Sequence, residues 1–121
     1  MWDKNKAVEH LRNHAHTGST GQCAKYVREA IEAGGITVHH THSAKDYGAQ
    51  LKTAGFTEIA DSSFLQPGDV AVIQPIPGHP HGHMAMYDGG IWISDFRQYH
   101  GFYPGQSWRS QKPPYIFYRY P

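Results

Sequence analysis

One cysteine and ten histidines are the reactive side chains of this 121-residue chain. The cysteine, Cys23, has no second thiol to pair with, so an internal disulfide framework and a multi-cysteine zinc site are both excluded. A lone thiol does chemistry as a nucleophile only when it is ionised or paired with a base. Cys23 falls in the first turn of a predicted helix, where unpaired backbone N–H groups and the helix dipole favour an anion, so ready ionisation is expected there. The bland alternative is a small, buried apolar side chain.

The base must come from the histidines. His83 stands apart because it follows Gly82 and opens a strand, which would aim its ring from a rigid sheet, whereas His79 and His81 lie in the Pro-rich loop before it. Asp95, on the return strand of the same hairpin, is the candidate to hold the second ring nitrogen and fix its tautomer. Register decides that pairing. With a two-residue turn at Gly89 and Gly90, His83 faces Phe96 and Asp95 points to the other side of the sheet. A three-residue loop over 88–90 with a bulge puts His83 opposite Asp95 on one face, and this bulged form is expected; Gln98 is the fallback if the turn is tight.

These residues need elements to position them. Ala7, Val8, Leu11 and Ala15 recur at helical spacing and predict a helix over 4–14. Cys23, Ala24, Val27, Ala30 and Ile31 form one stripe over 22–33, with Ser19 or Thr20 as its cap and Gly34 and Gly35 as its stop. Ser43 and Asp46 resemble a capping box before Ala44, Tyr47, Leu51 and Ala54, a third short helix ending at Gly55. The period then changes from helical to extended. Strands are predicted over 56–59, 69–73, 83–87, 91–95 and 115–120, with a glycine-, proline- and aromatic-rich loop over 96–114. Helices followed by antiparallel strands, in blocks, define an α+β domain spanning the chain.

Composition narrows the function. Eleven Lys and Arg against ten Asp and Glu leave a net charge of +1, without the basic stripe that draws a protein to nucleic acid. At 39% hydrophobic residues and a mean hydropathy of −0.62, the chain has no run of ~20 apolar residues to span a bilayer. Its opening, MWDKNK, lacks the apolar run and cleavage site of a signal peptide, so work outside the cytoplasm would need a dedicated export route or a longer precursor.

Three separated segments then resemble the papain-like peptidoglycan hydrolases grouped as NlpC and CHAP. GQCAKYVREAI resembles their nucleophile helix, LQPGDVAVI the turn into the first core strand, and GHMAMYDGGIWISD the histidine strand, its hairpin and the third polar residue. The resemblance implies a papain-like fold, N-terminal helices packed on a small antiparallel sheet. It also implies a monomeric cysteine amidase or endopeptidase that cuts an amide in the peptide part of bacterial peptidoglycan without a cofactor. Cys23 carries over as nucleophile, His83 as base and Asp95 as orienting residue, with Asp69 bracing the turn into its strand. The compact form is similar to amidase toxins delivered by type VI secretion or carried by bacteriocins. Such a toxin would act in the periplasm or wall of a target bacterium and be expected to need a cognate immunity protein.

Substrate contacts are expected from Gln22, beside the thiol, and from Tyr47, Trp92, Tyr99, Tyr103 and Trp108, with the groove lined by the loop over 74–82 and the aromatic loop after Asp95. Three rival readings remain. His79, His81 and His83, joined by His39, His40 and His42, could hold zinc or copper for a metal-dependent hydrolase. A noncatalytic module could use the aromatic loop to hold glycan or protein. A thioester resolved by another acceptor would make the same site a deamidase or transferase.

Overall fold

The computed structural model describes residues 1–60 and 63–121. Three α-helices come first: α1 (Lys4–His14), α2 (Cys23–Ala33) and α3 (Tyr47–Ala54), the last entered through a single 3-10 turn, Ala44–Asp46. Six short strands follow, β1 (Thr57–Ile59), β2 (Val70–Ile73), β3 (His83–Tyr87), β4 (Trp92–Ile93), β5 (Arg97–Gln98) and β6 (Tyr115–Arg119). A fourth helix, α4 (Gln106–Gln111), lies between β5 and β6. The strands form one antiparallel sheet in the order β1-β6-β2-β3-β4-β5, which bears out the α+β reading and its small antiparallel sheet.

Side-chain alternation along β2 and β3 gives the sheet two faces, each with its own core. Val70, Val72, Met84 and Met86 turn one way and meet Leu11 of α1, Val27 and Ile31 of α2, and Tyr47 and Leu51 of α3. Ala71, Ile73 and Ala85 turn the other way and are covered by Trp92, Phe117 and Trp108 of α4. Burial of each of these large side chains stabilises the fold by roughly 1.5–3 kcal/mol. The segment over 96–114 is therefore not a plain loop. It supplies β5 and α4, and its aromatic residues roof the second core.

Two predicted caps are not used. No side chain caps α2, whose N-cap is Gln22, and Ser43 does not cap the turn after it. Ser19 and Thr20 stop short of the cap position, and the Ser43 hydroxyl instead bonds His81 Nδ1 at 2.7 Å. Asp69 behaves as expected. It is 1% exposed and accepts the Gln66 backbone N–H at 2.8 Å, closing the turn into β2. Arg119 of β6 grips it with two parallel bonds, Nε to Oδ1 at 2.9 Å and Nη2 to Oδ2 at 2.8 Å. Such a fork pairs the two planar groups in one orientation and ties the turn to β6.

Candidate active site

The β3–β4 hairpin corrects the expected register. Tyr87 pairs with Trp92 and Met86 with Ile93, and the Asp88 N–H donates to the Ile91 carbonyl at 2.9 Å. The turn is thus the tight two-residue form, with Gly89 at φ 107. The bulge is unnecessary because Asp88 stabilises the turn itself, its Oδ1 accepting the Gly90 and Ile91 N–H groups at 2.7 Å each. Continued along the strands, this register sets His83 against Phe96, and their ring centroids lie 6.5 Å apart. Asp95 is then carried to the opposite face and makes no hydrogen bond with the His83 ring. Its Oδ2 accepts the Thr20 N–H at 2.5 Å, the Thr20 hydroxyl at 2.8 Å and the Gln22 N–H at 3.4 Å.

Gln98 takes the place at His83. The pairing of Trp92 with Gln98 puts the glutamine on the His83 face, and Oε1 stands 2.7 Å from His83 Nε2. The amide cannot be turned round without loss, because its Nε2 donates to the carbonyls of Gly101 at 3.1 Å and Phe102 at 2.9 Å. An oxygen held toward the ring accepts only from a protonated Nε2, so the neutral imidazole is fixed with its lone pair on Nδ1. Gly82 makes this placement possible. It sits at φ 72, and a Cβ there would collide with the Ile73 carbonyl and the Lys45 side chain.

The sulfur comes from the other side of the sheet. Cys23 is half-buried at the start of α2, and its Sγ is reached by the backbone N–H of Met84, the residue after His83. Burial pushes the thiol up to about 11 despite that N–H and those of Ala24 and Cys23 itself, and the nearby Asp95 charge adds to the rise. Burial likewise drives the His83 imidazole down to about 4, against the opposing pull of Gln98 and Asp95. The expected thiolate is thus replaced, at rest, by a neutral thiol, and the His83 imidazole is neutral as well. Desolvation outweighs the helix terminus here.

Two clefts meet at Cys23. One, of ≈ 320 Å³, runs between Gln22 and Lys25 on one side and His40 to His42, Tyr47 and His81 on the other. The second, of ≈ 250 Å³, is walled by Gly78, His79 and Pro80. The loop over 74–82 therefore lines the groove as expected, and the aromatic loop does not reach it. Tyr47 touches the first cleft but is 1% exposed, its hydroxyl accepting the Thr41 N–H at 3.3 Å, so it serves as wall and core rather than as a stacking surface. Trp92 lies in the second core, stacked on Phe117 with centroids 5.4 Å apart. Trp108 is also buried, and its ring covers His83 at 6.0 Å. Tyr99 is exposed but lines neither cleft.

The histidines of the rival metal reading separate. His83 goes to Gln98, His81 to Ser43 and the edge of His42, and His79 to Trp108. Among the described residues no three His, Cys, Asp or Glu side chains are gathered as a ligand set. The groups whose roles the sequence did not reveal are Thr20, a candidate helix cap that instead donates to Asp95, and Gln98, whose relevance depends on the hairpin register.

Comparison with known proteins gives this arrangement its class. No family model and no curated protein matches the chain. Among solved structures, it superposes on the type VI native effector–immunity complex Tae3–Tai3 from Ralstonia pickettii with a TM-score of 0.93 and 55% identity, over 99% of this chain and 100% of that one. A second structure of that complex gives 0.90 and 55%, over 94% and 99%. Ly7917 shares the fold at a TM-score of 0.56 and 19% identity, this chain spanning 62% of its length. Fold and sequence together define a small α+β type VI effector. The chain belongs to the Tae3 family.

Proposed function

We propose that this protein is a papain-like cysteine amidase or endopeptidase, of the NlpC/CHAP kind, that cuts an amide in the peptide part of bacterial peptidoglycan. Cys23 is the nucleophile, His83 the base and Gln98 the residue that orients it. The observation that carries the reading is the fixed imidazole tautomer: two carbonyls hold Gln98, Gln98 holds Nε2, and the free lone pair on Nδ1 belongs to the residue whose neighbour, Met84, touches the sulfur.

The chemistry follows from the neutral resting pair. Nδ1 accepts the thiol proton as Sγ attacks the amide carbonyl carbon, and the oxyanion that forms is met by the backbone N–H of Cys23 at the helix start. The imidazolium then protonates the departing amine as the C–N bond breaks, leaving a thioester. Water enters, gives a proton to Nδ1 and attacks the thioester; the acid leaves and the thiol recovers its proton. Gln98 stabilises the transient imidazolium by keeping an oxygen on its Nε2–H. Gln22 lines the Cys23 cleft and is the polar contact for the substrate beside the scissile bond.

Membership of the Tae3 family supports an antibacterial role, with delivery by a type VI secretion apparatus into the periplasm of a target bacterium and a cognate immunity protein protecting the producer. No helix among the described residues is long and apolar enough to cross a membrane. Mass spectrometry of muropeptides released from purified sacculi tests the reading. Wild type should produce fragments that gain one water per cut amide, and Cys23→Ala and His83→Ala should produce none. Cleavage retained in Cys23→Ala overturns the mechanism.

A further inference from the structure

From residue 96 to the end of the chain there is no Asp or Glu, but there are three arginines, a lysine and a histidine. Two of the arginines are engaged in the fold, Arg97 on the Arg12 carbonyl at 2.8 Å and Arg119 on Asp69. The others, His100, Arg109 and Lys112, converge on a cavity of ≈ 660 Å³ that is separate from the Cys23 clefts. Phe102, Tyr103 and Tyr115 form its apolar wall, the Phe102 ring centroid 4.5 Å from each of the two tyrosines. Among the described residues the Arg109 guanidinium hydrogen-bonds only the neutral Gln106 amide, at 3.4 Å, and neither it nor Lys112 forms a salt bridge.

The size suits a small ligand, the wall suits a ring or an apolar side chain, and cations without a salt-bridge partner among the described residues suit carboxylates. Its position is specific too. Gly101 and Phe102, which line the cavity, are the residues whose carbonyls hold Gln98, and Gln98 holds His83. Trp108, next to Arg109, covers the same imidazole. A ligand held in this cavity is therefore registered against the base.

We propose that the cavity is a second binding site for a carboxylate-bearing stem-peptide segment of peptidoglycan, which positions an extended wall fragment relative to Cys23. This inference rests on the peptidoglycan reading above. The probe is a purified disaccharide-tetrapeptide muropeptide, added to Cys23→Ala protein so that nothing is turned over, with binding followed by titration calorimetry and amide chemical shifts. Shifts are expected over 100–103 and 109–115, and affinity should fall about tenfold in Cys23→Ala carrying Arg109→Gln and Lys112→Gln. An uncharged N-acetylglucosamine oligomer should not compete.

Unchanged affinity in that variant, or shifts confined to 21–25 and 40–47, overturns the assignment. So does equal competition by an acidic peptide without sugar or D-residues, which would make the cavity a contact for an acidic protein. Digestion of sacculi by the wild type is read in parallel. Digestion together with unaltered binding by the variant overturns only the cavity assignment, whereas neither digestion nor muropeptide binding overturns both readings.

Discussion

Asp95 and Thr20 are 75 positions apart in the chain, yet one carboxylate oxygen of Asp95 receives both the backbone N–H and the hydroxyl of Thr20. The segment leading into Cys23 hangs on this contact, with Gly21 at φ 75 making the turn. Burial pushes the Asp95 carboxyl up, but the donors on Thr20 and Gln22 outweigh it and hold the group below its usual range. Its other oxygen, Oδ1, is buried without a hydrogen-bond partner among the described residues, so the carboxylate depends on the Thr20 side for its compensation.

That dependence predicts coupling. Asp95→Asn should destabilise the protein by about 1–3 kcal/mol, and Thr20→Val by less, since it keeps the backbone N–H. In a double-mutant cycle followed by urea unfolding, the pair should couple by roughly 0.5–3 kcal/mol. Strict additivity would refute the anchor.

Gln98 should be intolerant of its charged analogue. Gln98→Glu keeps an acceptor for His83 but sets a carboxylate against the Gly101 and Phe102 carbonyls, where only a donor fits. Both Gln98→Ala and Gln98→Glu should lower kcat on soluble muropeptides by roughly 100-fold. A Gln98→Glu enzyme with wild-type kcat would mean that any acceptor suffices and that the amide's second role is void.

The neutral resting pair predicts an unusual pH response. His83 falls to about 4 in the folded protein against the ordinary histidine value of 6.5, so between those values the unfolded chain binds more protons than the folded one. Stability from this residue is complete above the unfolded value and declines as pH drops toward 4, by something on the order of 3 kcal/mol in all. Urea midpoints for wild type and His83→Gln should therefore diverge at pH 7 to 8 and converge by pH 4. Alkylation of Cys23 by iodoacetamide should be slower than that of a free thiol at pH 7, because the thiol is held up at about 11. Slow alkylation thus fits an enzyme as well as a binder, and only released muropeptides separate them. Fast alkylation at pH 7 would show a preformed ion pair instead.

Asp69 should be the costliest polar residue to remove. Asp69→Ala leaves Arg119 without its fork and the Gln66 N–H without its acceptor. A loss of about 3–5 kcal/mol is expected by thermal or urea unfolding, with Arg119→Lys intermediate because an ammonium cannot reproduce the two parallel bonds. A loss below 1 kcal/mol would contradict the bracing role.

The positions of α1 to α3 and of the strands other than β5 were legible in the residues because hydrophobic period and Gly/Pro punctuation are local, whereas β5 and α4 were hidden in the segment read as a loop. The 3.6-residue stripe of α1 and α2 and the alternation in β2 and β3 need no knowledge of partners. Cys23 and His83 could be picked out for the same reason, one at a helix start and the other after a turn glycine. What the three-dimensional arrangement alone decided was every relation across the chain. The hairpin register turned on how Asp88 satisfies two N–H groups, and that one-residue choice sent Asp95 to Thr20 and brought Gln98 to His83. Burial decided protonation: the helix start at Cys23 favours a thiolate, but whether water reaches that sulfur depends on β3 and on the segments over 40–47 and 78–82, which lie far away in sequence. A long-range contact leaves no periodic trace in the amino-acid order, because its free energy depends on which groups are dry and paired together, and only the folded chain brings them together.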